Sequence, residues 1–236
     1  MNSQQRNTFL VALVGVALLG IGIIFFVTRP QAPSDDGETL NISYTNNGTT
    51  QNLELRKVAV NALEGARFIS GSSNAKNTIV EFSDYQCPAC ATFATQTESQ
   101  FKTDFIDTGL VRFAYRDFPL AQHANAPLAA QAAACANQSG RFENYKAILF
   151  RGQSQWSNSS SETASQQFAE FAGLNKTSFL ECLKSDNAKD AIAADVNMGR
   201  KVGLNSTPSF VVNGYLVAGA LPIEAFKAIL EKVGTK

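Results

Sequence analysis

The chain has 236 residues, of which 44% are hydrophobic and 17% are charged. This length suits one globular domain with a sizeable core and is too short for two large ones. Lysines and arginines equal aspartates and glutamates at 20 each, and no basic block supplies the phosphate-neutralising surface that nucleic-acid binding needs, so we expect no nucleic-acid partner.

An uncharged apolar segment occupies residues 9–27. As a helix it would span roughly 28 Å, about the thickness of a bilayer's hydrocarbon core. We therefore predict an N-terminal transmembrane helix within residues 1–28 that contacts the lipid bilayer through residues 9–27. A cleaved signal peptide is the alternative, but the apolar segment is longer than a usual signal core, and no clear cleavage site follows it.

Residues 29–60 are predicted to form a linker. Its first part contains two prolines and an acidic cluster, which indicate an extended tether between the membrane and the globular part. Later in the linker, alternating side chains flank Asn47 and Gly48, a pair that favours a hairpin turn. A short two-stranded ribbon is one interpretation of this segment, and disorder is the other.

Residues 61–236 are predicted to form the globular domain. The apolar run over residues 77–82 is interrupted only by Glu81 and is typical of a central strand covered on both faces. Pro88 then suits the first turn of a helix, and residues 110–118 alternate as a second strand. Parallel strands need a crossover of about this length, so a strand–helix–strand unit is predicted.

The second half of the domain changes from helices back to strands. Apolar residues recur at helical spacing in four segments between about residues 120 and 203, and breaks containing glycine separate them. Asn213 and Gly214 then mark a hairpin, and a last helix carries its apolar face from Ile223 to Val233. The predicted order is a βαβ unit, a helical insertion and a ββα unit, which is an α/β fold.

The chain contains one close pair of cysteines, Cys87 and Cys90, besides two isolated ones and a single histidine. A structural zinc site uses four cysteine or histidine ligands, usually as two close pairs, so we predict no metal site. A purely structural disulfide between Cys87 and Cys90 would close a very small loop and stabilise the chain little. An even number of cysteines behind an export signal also suggests pairing in an oxidising compartment.

Redox chemistry explains the close pair better. At the start of the predicted helix, Cys87 faces unpaired backbone N–H groups and the positive end of the helix dipole, which favour a thiolate. We therefore predict that Cys87 is the nucleophile. Cys90 lies one turn further along, close enough to attack a mixed disulfide at Cys87, and is the predicted resolving cysteine.

Two segments carry a resemblance to a known family: IVEFSDYQCPAC and, much later, GLNSTPSFVVNG. Together they resemble the DsbA-like branch of the thioredoxin superfamily, over roughly residues 68–233. The resemblance implies a thioredoxin fold, with a helical domain inserted at about residues 120–203. It also implies a protein-disulfide oxidoreductase that requires no organic cofactor and no metal.

The resemblance assigns further residues to the substrate site. It implies that Thr207 and Pro208 form a loop with a cis peptide bond that faces the thiols and pairs with an extended substrate; an ordinary proline at the start of a strand is the alternative. Pro88 and Ala89 border the same site. They stand where the best-known oxidases have Pro-His, so one stabiliser of the Cys87 thiolate is missing.

Four other residues are interpreted less directly. The superfamily carries a buried acid where Glu81 stands, and a raised pKa would allow this carboxyl to exchange protons with Cys90; an exposed, idle glutamate is the alternative. Tyr85 and Gln86 are expected at the rim of the site. His123 is expected to be solvated or to cap a helix rather than to act in catalysis.

The two remaining cysteines, Cys135 and Cys182, fall on the apolar faces of inserted helices. By resemblance to some relatives of this branch, they form a second, structural disulfide. Two buried free thiols are the alternative.

The function implied by these features is oxidation of exported proteins that carry cysteine thiols. The expected location is the cell membrane, with one span and the catalytic domain on the extracytoplasmic side, periplasmic or extracellular. A membrane quinone-linked oxidase of the DsbB or vitamin K epoxide reductase type would regenerate the disulfide. The alternatives are a disulfide isomerase or reductase, and a non-catalytic binding module on a thioredoxin scaffold.

Overall fold

The computed structural model describes residues 38–235. The predicted transmembrane helix and the first part of the linker lie outside this range. Within residues 38–235, no helix combines the length and the apolar composition that a membrane span requires.

One mixed sheet forms the centre of the described domain, with the strand order β1-β2-β7-β6-β4-β5-β3. Central strand β4 is parallel to β5 and antiparallel to β6. The strands are β1 (Thr39–Asn46), β2 (Thr49–Lys57), β3 (Phe68–Ser70), β4 (Asn77–Ser83), β5 (Val111–Asp117), β6 (Ser209–Val212) and β7 (Tyr215–Ala218). This is the mixed α/β thioredoxin-like arrangement that the sequence predicts, and it places the end of β4 beside the start of β6.

Helices connect and cover these strands. They are α1 (Pro88–Thr92), α2 (Glu98–Phe101), α3 (Ala126–Asn137), α4 (Phe142–Arg151), α5 (Gln153–Trp156), α6 (Ser161–Ala172), α7 (Lys176–Lys184), α8 (Asp186–Val202) and α9 (Ile223–Val233). Helices α3 to α8 form the predicted insertion between β5 and β6. Two π-helical turns, Phe93–Thr97 and Lys102–Ile106, follow the cysteine pair and locally shift the helical register. The regular helical spacing of the sequence did not predict them.

The segment interpreted as a ribbon or as disorder forms a hairpin that joins the main sheet. Asn47 and Gly48 form its turn with positive φ angles of 48° and 76°, the backbone that a tight two-residue hairpin requires. Strand β2 pairs with β7, and Arg56 donates a 2.8 Å hydrogen bond to the carbonyl of Val202, at the end of α8. The hairpin is therefore an edge of the sheet rather than a free ribbon.

Aromatic packing holds the α1–α2 segment on the sheet. The ring of Phe93 lies 4.9 Å from that of Phe210 on β6, and Phe101 lies 4.8 Å from Phe226 on α9. All four side chains are fully buried. Offset and edge-to-face aromatic pairs contribute roughly 0.5–1.5 kcal/mol each beyond their buried area, so the helix that begins at the cysteine pair has a firm support.

Two further links hold the helical insertion. A disulfide joins Cys135 on α3 to Cys182 on α7, and this bond replaces the alternative of two free thiols. A buried ion pair joins Asp195 on α8 to Arg116 on β5, with 2.5 Å between the charged atoms. The disulfide thus links two helices of the insertion, and the ion pair links the insertion to the central sheet.

Candidate active site

A short turn connects β4 to the helix that carries the cysteine pair. Asp84 accepts the backbone N–H of Gln86 at 2.7 Å, and its own carbonyl accepts the N–H of Cys87 at 3.1 Å. Such local bonds are typical of aspartate in tight turns. From the insertion, Gln153 donates to the carbonyls of Tyr85 and Cys87, at 2.7 and 3.0 Å. Hydrogen bonds within the turn and from the insertion therefore fix the backbone before Cys87.

Cys87 is the N-cap residue of α1, and Pro88 occupies the first helical position. Its sulfur lies 3.3 Å from the carbonyl oxygen of Thr207. The pKa of Cys87 is lowered to about 5, mainly by a hydrogen bond from the Cys90 thiol; burial opposes this, while Thr207 and the backbone N–H groups of Cys90 and Ala89 assist it. A helix start leaves such N–H groups free for an anion, so Cys87 is poised as a thiolate.

Cys90 lies one turn further along and is fully buried. The backbone N–H of Asp84 donates to its sulfur at 3.4 Å. Burial raises the pKa of Cys90, and the neighbouring Cys87 sulfur raises it further. In the dithiol state that the structure shows, Cys87 is therefore favoured as the thiolate, and Cys90 as the protonated thiol.

The peptide bond between Thr207 and Pro208 is cis. Strand β6 starts directly after it, and Ser209 pairs with Phe82 of β4. This pairing brings the cis-proline loop against Cys87, from a position 120 residues away in sequence. Thr207 is itself buried.

The dipeptide between the two cysteines forms the exposed border of the site. Pro88 and Ala89 are both exposed, while Gln86 is half-buried. Tyr85 was expected at the rim as well, and that expectation is wrong: its ring is buried and packs 5.0 Å from the ring of Phe150. The insertion covers this tyrosine, which sequence spacing did not indicate.

Glu81 lies in the middle of β4 and is only 2% exposed, so the alternative of an exposed glutamate does not hold. Burial raises its pKa to about 8, Glu98 adds to the rise, and Lys146 opposes it. Lys146 on α4 is buried too, forms an ion pair with Glu98 and lies 3.2 Å from a carboxylate oxygen of Glu143. A carboxyl with this pKa is partly protonated near neutral pH and can both give and accept a proton.

Sequence reasoning missed two functional neighbours. Asp84 organises the turn and also binds His123, whose Nδ1 lies 2.7 Å from the carboxylate. The position of Asp84, three residues before Cys87, was the sequence signal that could have indicated this role. Lys146 influences Glu81 from the insertion, and no local pattern predicts that contact. Within the described residues, no group of acidic, histidine or cysteine side chains is arranged to hold a metal ion.

Comparisons with known proteins agree with this geometry. A family model described as thioredoxin matches residues 64–232, more than half of the chain. A structure of Wolbachia pipientis alpha-DsbA1 has a TM-score of 0.63 and 22% identity, and the match covers 70% of this chain and 89% of that one. The chain therefore belongs to the thioredoxin family, and its fold is DsbA-like.

Curated relatives add a second comparison. A Rickettsia felis protein with the provisional name protein-disulfide oxidoreductase is 23% identical over 203 residues, which is 84% of this chain and 72% of that protein. The Na(+)/H(+) antiporter NhaA 3 of Salinispora tropica is 30% identical over 161 residues, 68% of this chain. The match spans only about a quarter of the antiporter, 24% of its length.

Proposed function

We propose that this protein is a thiol:disulfide oxidoreductase that introduces disulfides into exported proteins. The placement of Cys87 is the observation that supports this proposal most strongly. Cys87 is the N-cap residue of α1, and its sulfur has a lowered pKa and lies 3.3 Å from the carbonyl that precedes a cis proline. A nucleophilic sulfur thus stands beside the cis-proline loop, whose backbone would pair with an extended peptide. A binding module would have no need of an ionised sulfur at this place.

The exchange proceeds in two balanced steps. A substrate thiolate attacks the Cys87 sulfur of the Cys87–Cys90 disulfide; a substrate–Cys87 bond forms, and Cys90 leaves with the electron pair and takes up a proton. The second thiolate of the substrate then attacks the substrate sulfur that is bonded to Cys87. A disulfide forms within the substrate, and Cys87 leaves as a thiolate. The substrate is oxidised by two electrons, and the protein ends as a dithiol.

The direction of oxidation follows from the stability of the leaving group. A lowered pKa makes Cys87 a good leaving thiolate and stabilises the reduced protein, which makes the disulfide more oxidising. At pH 7 a pKa of about 5 keeps nearly all Cys87 ionised. The missing histidine between the cysteines is offset by the hydrogen bond from Cys90 and the backbone N–H groups of α1.

The proposed setting is the outer side of the cell membrane. Residues 9–27 would anchor the chain by a single span, and the domain described here would face the extracytoplasmic side. Exported proteins with cysteine thiols would be the substrates. A membrane quinone-linked oxidase of the DsbB or vitamin K epoxide reductase type would reoxidise Cys87 and Cys90.

Trapping of substrates tests this proposal. Full-length Cys90→Ser, expressed in a bacterial host and isolated in membranes under acid quench, is expected to accumulate mixed disulfides at Cys87, because no resolving thiol remains. Non-reducing electrophoresis followed by reduction should show them as species of higher mass that revert to the free chain. Cys87→Ser is the matched control, since it keeps Cys90 and should show none.

The same membranes report the direction of the reaction. Wild-type Cys87 and Cys90 should resist alkylation until a reductant is added, because an oxidase is held as a disulfide. Mixed disulfides that are equally abundant in Cys90→Ser and Cys87→Ser would refute the catalytic proposal. A wild-type protein that is held as a dithiol would instead indicate the isomerase or reductase direction.

A further inference from the structure

A buried serine lies between the two acid–base groups of the site. Ser83 is the last residue of β4, is 1% exposed, and its hydroxyl oxygen has no hydrogen-bond partner within residues 38–235. Its backbone carbonyl already accepts the N–H of Phe118 at 2.7 Å. A buried hydroxyl without a partner is costly unless it serves a purpose, so the unsatisfied atom of Ser83 needs an explanation.

The position of Ser83 suggests that purpose. In a strand, residues two apart share a face and lie roughly 6.5 Å from each other, so Ser83 and Glu81 project to the same side of β4. The next residue, Asp84, donates its N–H to the Cys90 sulfur at 3.4 Å. The Cys90 sulfur on α1 therefore lies at the end of β4, beside the residue that follows Ser83.

We propose that the Ser83 hydroxyl relays the proton between the Glu81 carboxyl and the Cys90 thiol. When Cys90 attacks a mixed disulfide, its S–H proton passes to the Ser83 oxygen, and the Ser83 hydroxyl proton passes to the Glu81 carboxylate. Cys90 becomes a thiolate, Glu81 becomes a neutral acid and Ser83 is unchanged. The reverse transfer protonates Cys90 when it leaves during substrate oxidation. This inference rests on the proposed exchange reaction.

The electrostatics of the site are consistent with a relay. Burial raises the pKa of Glu81 and that of Cys90, and the nearby Ser83 hydroxyl opposes both shifts, although it forms no hydrogen bond to either group in this structure. The charged side chains that face Glu81 are Lys146 and Glu143 on α4 and Glu98 on α2. Tyr85 and Tyr115 also lie near Glu81, and burial raises the pKa of both phenols, so they stay protonated across the working range.

The test measures how fast Cys90 displaces glutathione from a mixed disulfide with Cys87. Reduced protein is mixed with oxidised glutathione, quenched with acid at intervals and analysed by mass spectrometry. In the wild type the displacement rate should rise with pH through an inflection at the pKa of Glu81, because only the carboxylate accepts the proton. Ser83→Ala should lose this inflection and be slower by about tenfold or more, since positioned acid–base groups typically contribute roughly 10²–10⁴-fold.

Further variants separate a relay from a structural or electrostatic role. Ser83→Thr keeps a hydroxyl and should retain the inflection, while Ser83→Gly should behave as Ser83→Ala. Glu81→Gln should remove the inflection, and combining it with Ser83→Ala should cause no further slowing, because both act on one proton path. Thr207→Val removes the other buried hydroxyl near Cys90 and should keep the inflection.

Three outcomes would overturn the relay. The inflection could persist in Ser83→Ala at an unchanged rate; it could merely move to higher pH, which would show an electrostatic role alone; or the slowing by Ser83→Ala and Glu81→Gln could be additive. Failure of the proposed exchange reaction looks different. The wild type would then form no mixed disulfide with glutathione at Cys87.

Discussion

At pH 7 the reduced protein is expected to gain up to about 3 kcal/mol of unfolding free energy from the Cys87 thiolate, an upper bound because solvent screening weakens the effect. Folding lowers the pKa of Cys87 from 9.0 to about 5, and each unit of difference contributes about 1.4 kcal/mol within the pH range between the two values. Because the folded value is the lower one, the contribution is complete above about pH 9 and is lost as the pH falls through about 5.

Urea unfolding of the reduced wild type and of Cys87→Ser, repeated across this pH range, measures the effect. The difference in unfolding free energy between the two proteins should grow as the pH rises. The same comparison in a Cys90→Ala background is the control. In that background the difference in unfolding free energy should rise less with pH, because the hydrogen bond from Cys90 is the largest cause of the lowered pKa of Cys87. A difference that does not change with pH would contradict the account.

Removal of the disulfide between Cys135 and Cys182 is expected to lower the unfolding free energy by about 4 kcal/mol. The bond joins residues 47 apart in sequence, and a loop of this length confines the unfolded chain enough to contribute roughly 4 kcal/mol by chain entropy. The bond also ties α7 to α3 within the insertion. Cys135→Ala combined with Cys182→Ala should therefore unfold at a lower urea concentration.

The experiment is best done in a Cys87→Ser/Cys90→Ser background, where no thiol exchange interferes. Either single substitution, Cys135→Ala or Cys182→Ala, breaks the same bond, so the double variant should lose little more than a single one. Faster amide hydrogen exchange in α7 than in β4 would show where the structure loosens first. A loss below about 1 kcal/mol would mean that the insertion does not depend on this bond.

The parts of the fold that could be predicted from sequence are those with strong local signals. Strand β4 is a continuous buried run, and the turn at Asn213 and Gly214 marks the β6–β7 hairpin, with φ angles of 47° and 85° at these two residues. Pro88 marks the start of α1. In each case a few neighbouring residues determine the backbone, so pattern reasoning was sufficient.

The parts that could not be predicted depend on contacts distant in sequence. One of the glycine-containing breaks predicted between the inserted helices holds α5, which carries the fully buried Trp156. Gln153, also on α5, holds the turn before Cys87 by two hydrogen bonds. Lys146 pairs with Glu98, 48 residues away. The pKa of Glu81 depends on such tertiary neighbours, which hydrophobic periodicity does not reveal.

The most direct test of the account is the titration of Cys87 in the reduced full-length protein. The rate of alkylation by iodoacetamide, followed against pH by mass spectrometry, reports the thiolate fraction at this sulfur, because the raised pKa of Cys90 keeps that thiol protonated. The structure predicts a midpoint of about 5. A midpoint near 9.0, the ordinary value from which the pKa of Cys87 is lowered, would contradict the claim that the start of α1 holds Cys87 as a thiolate.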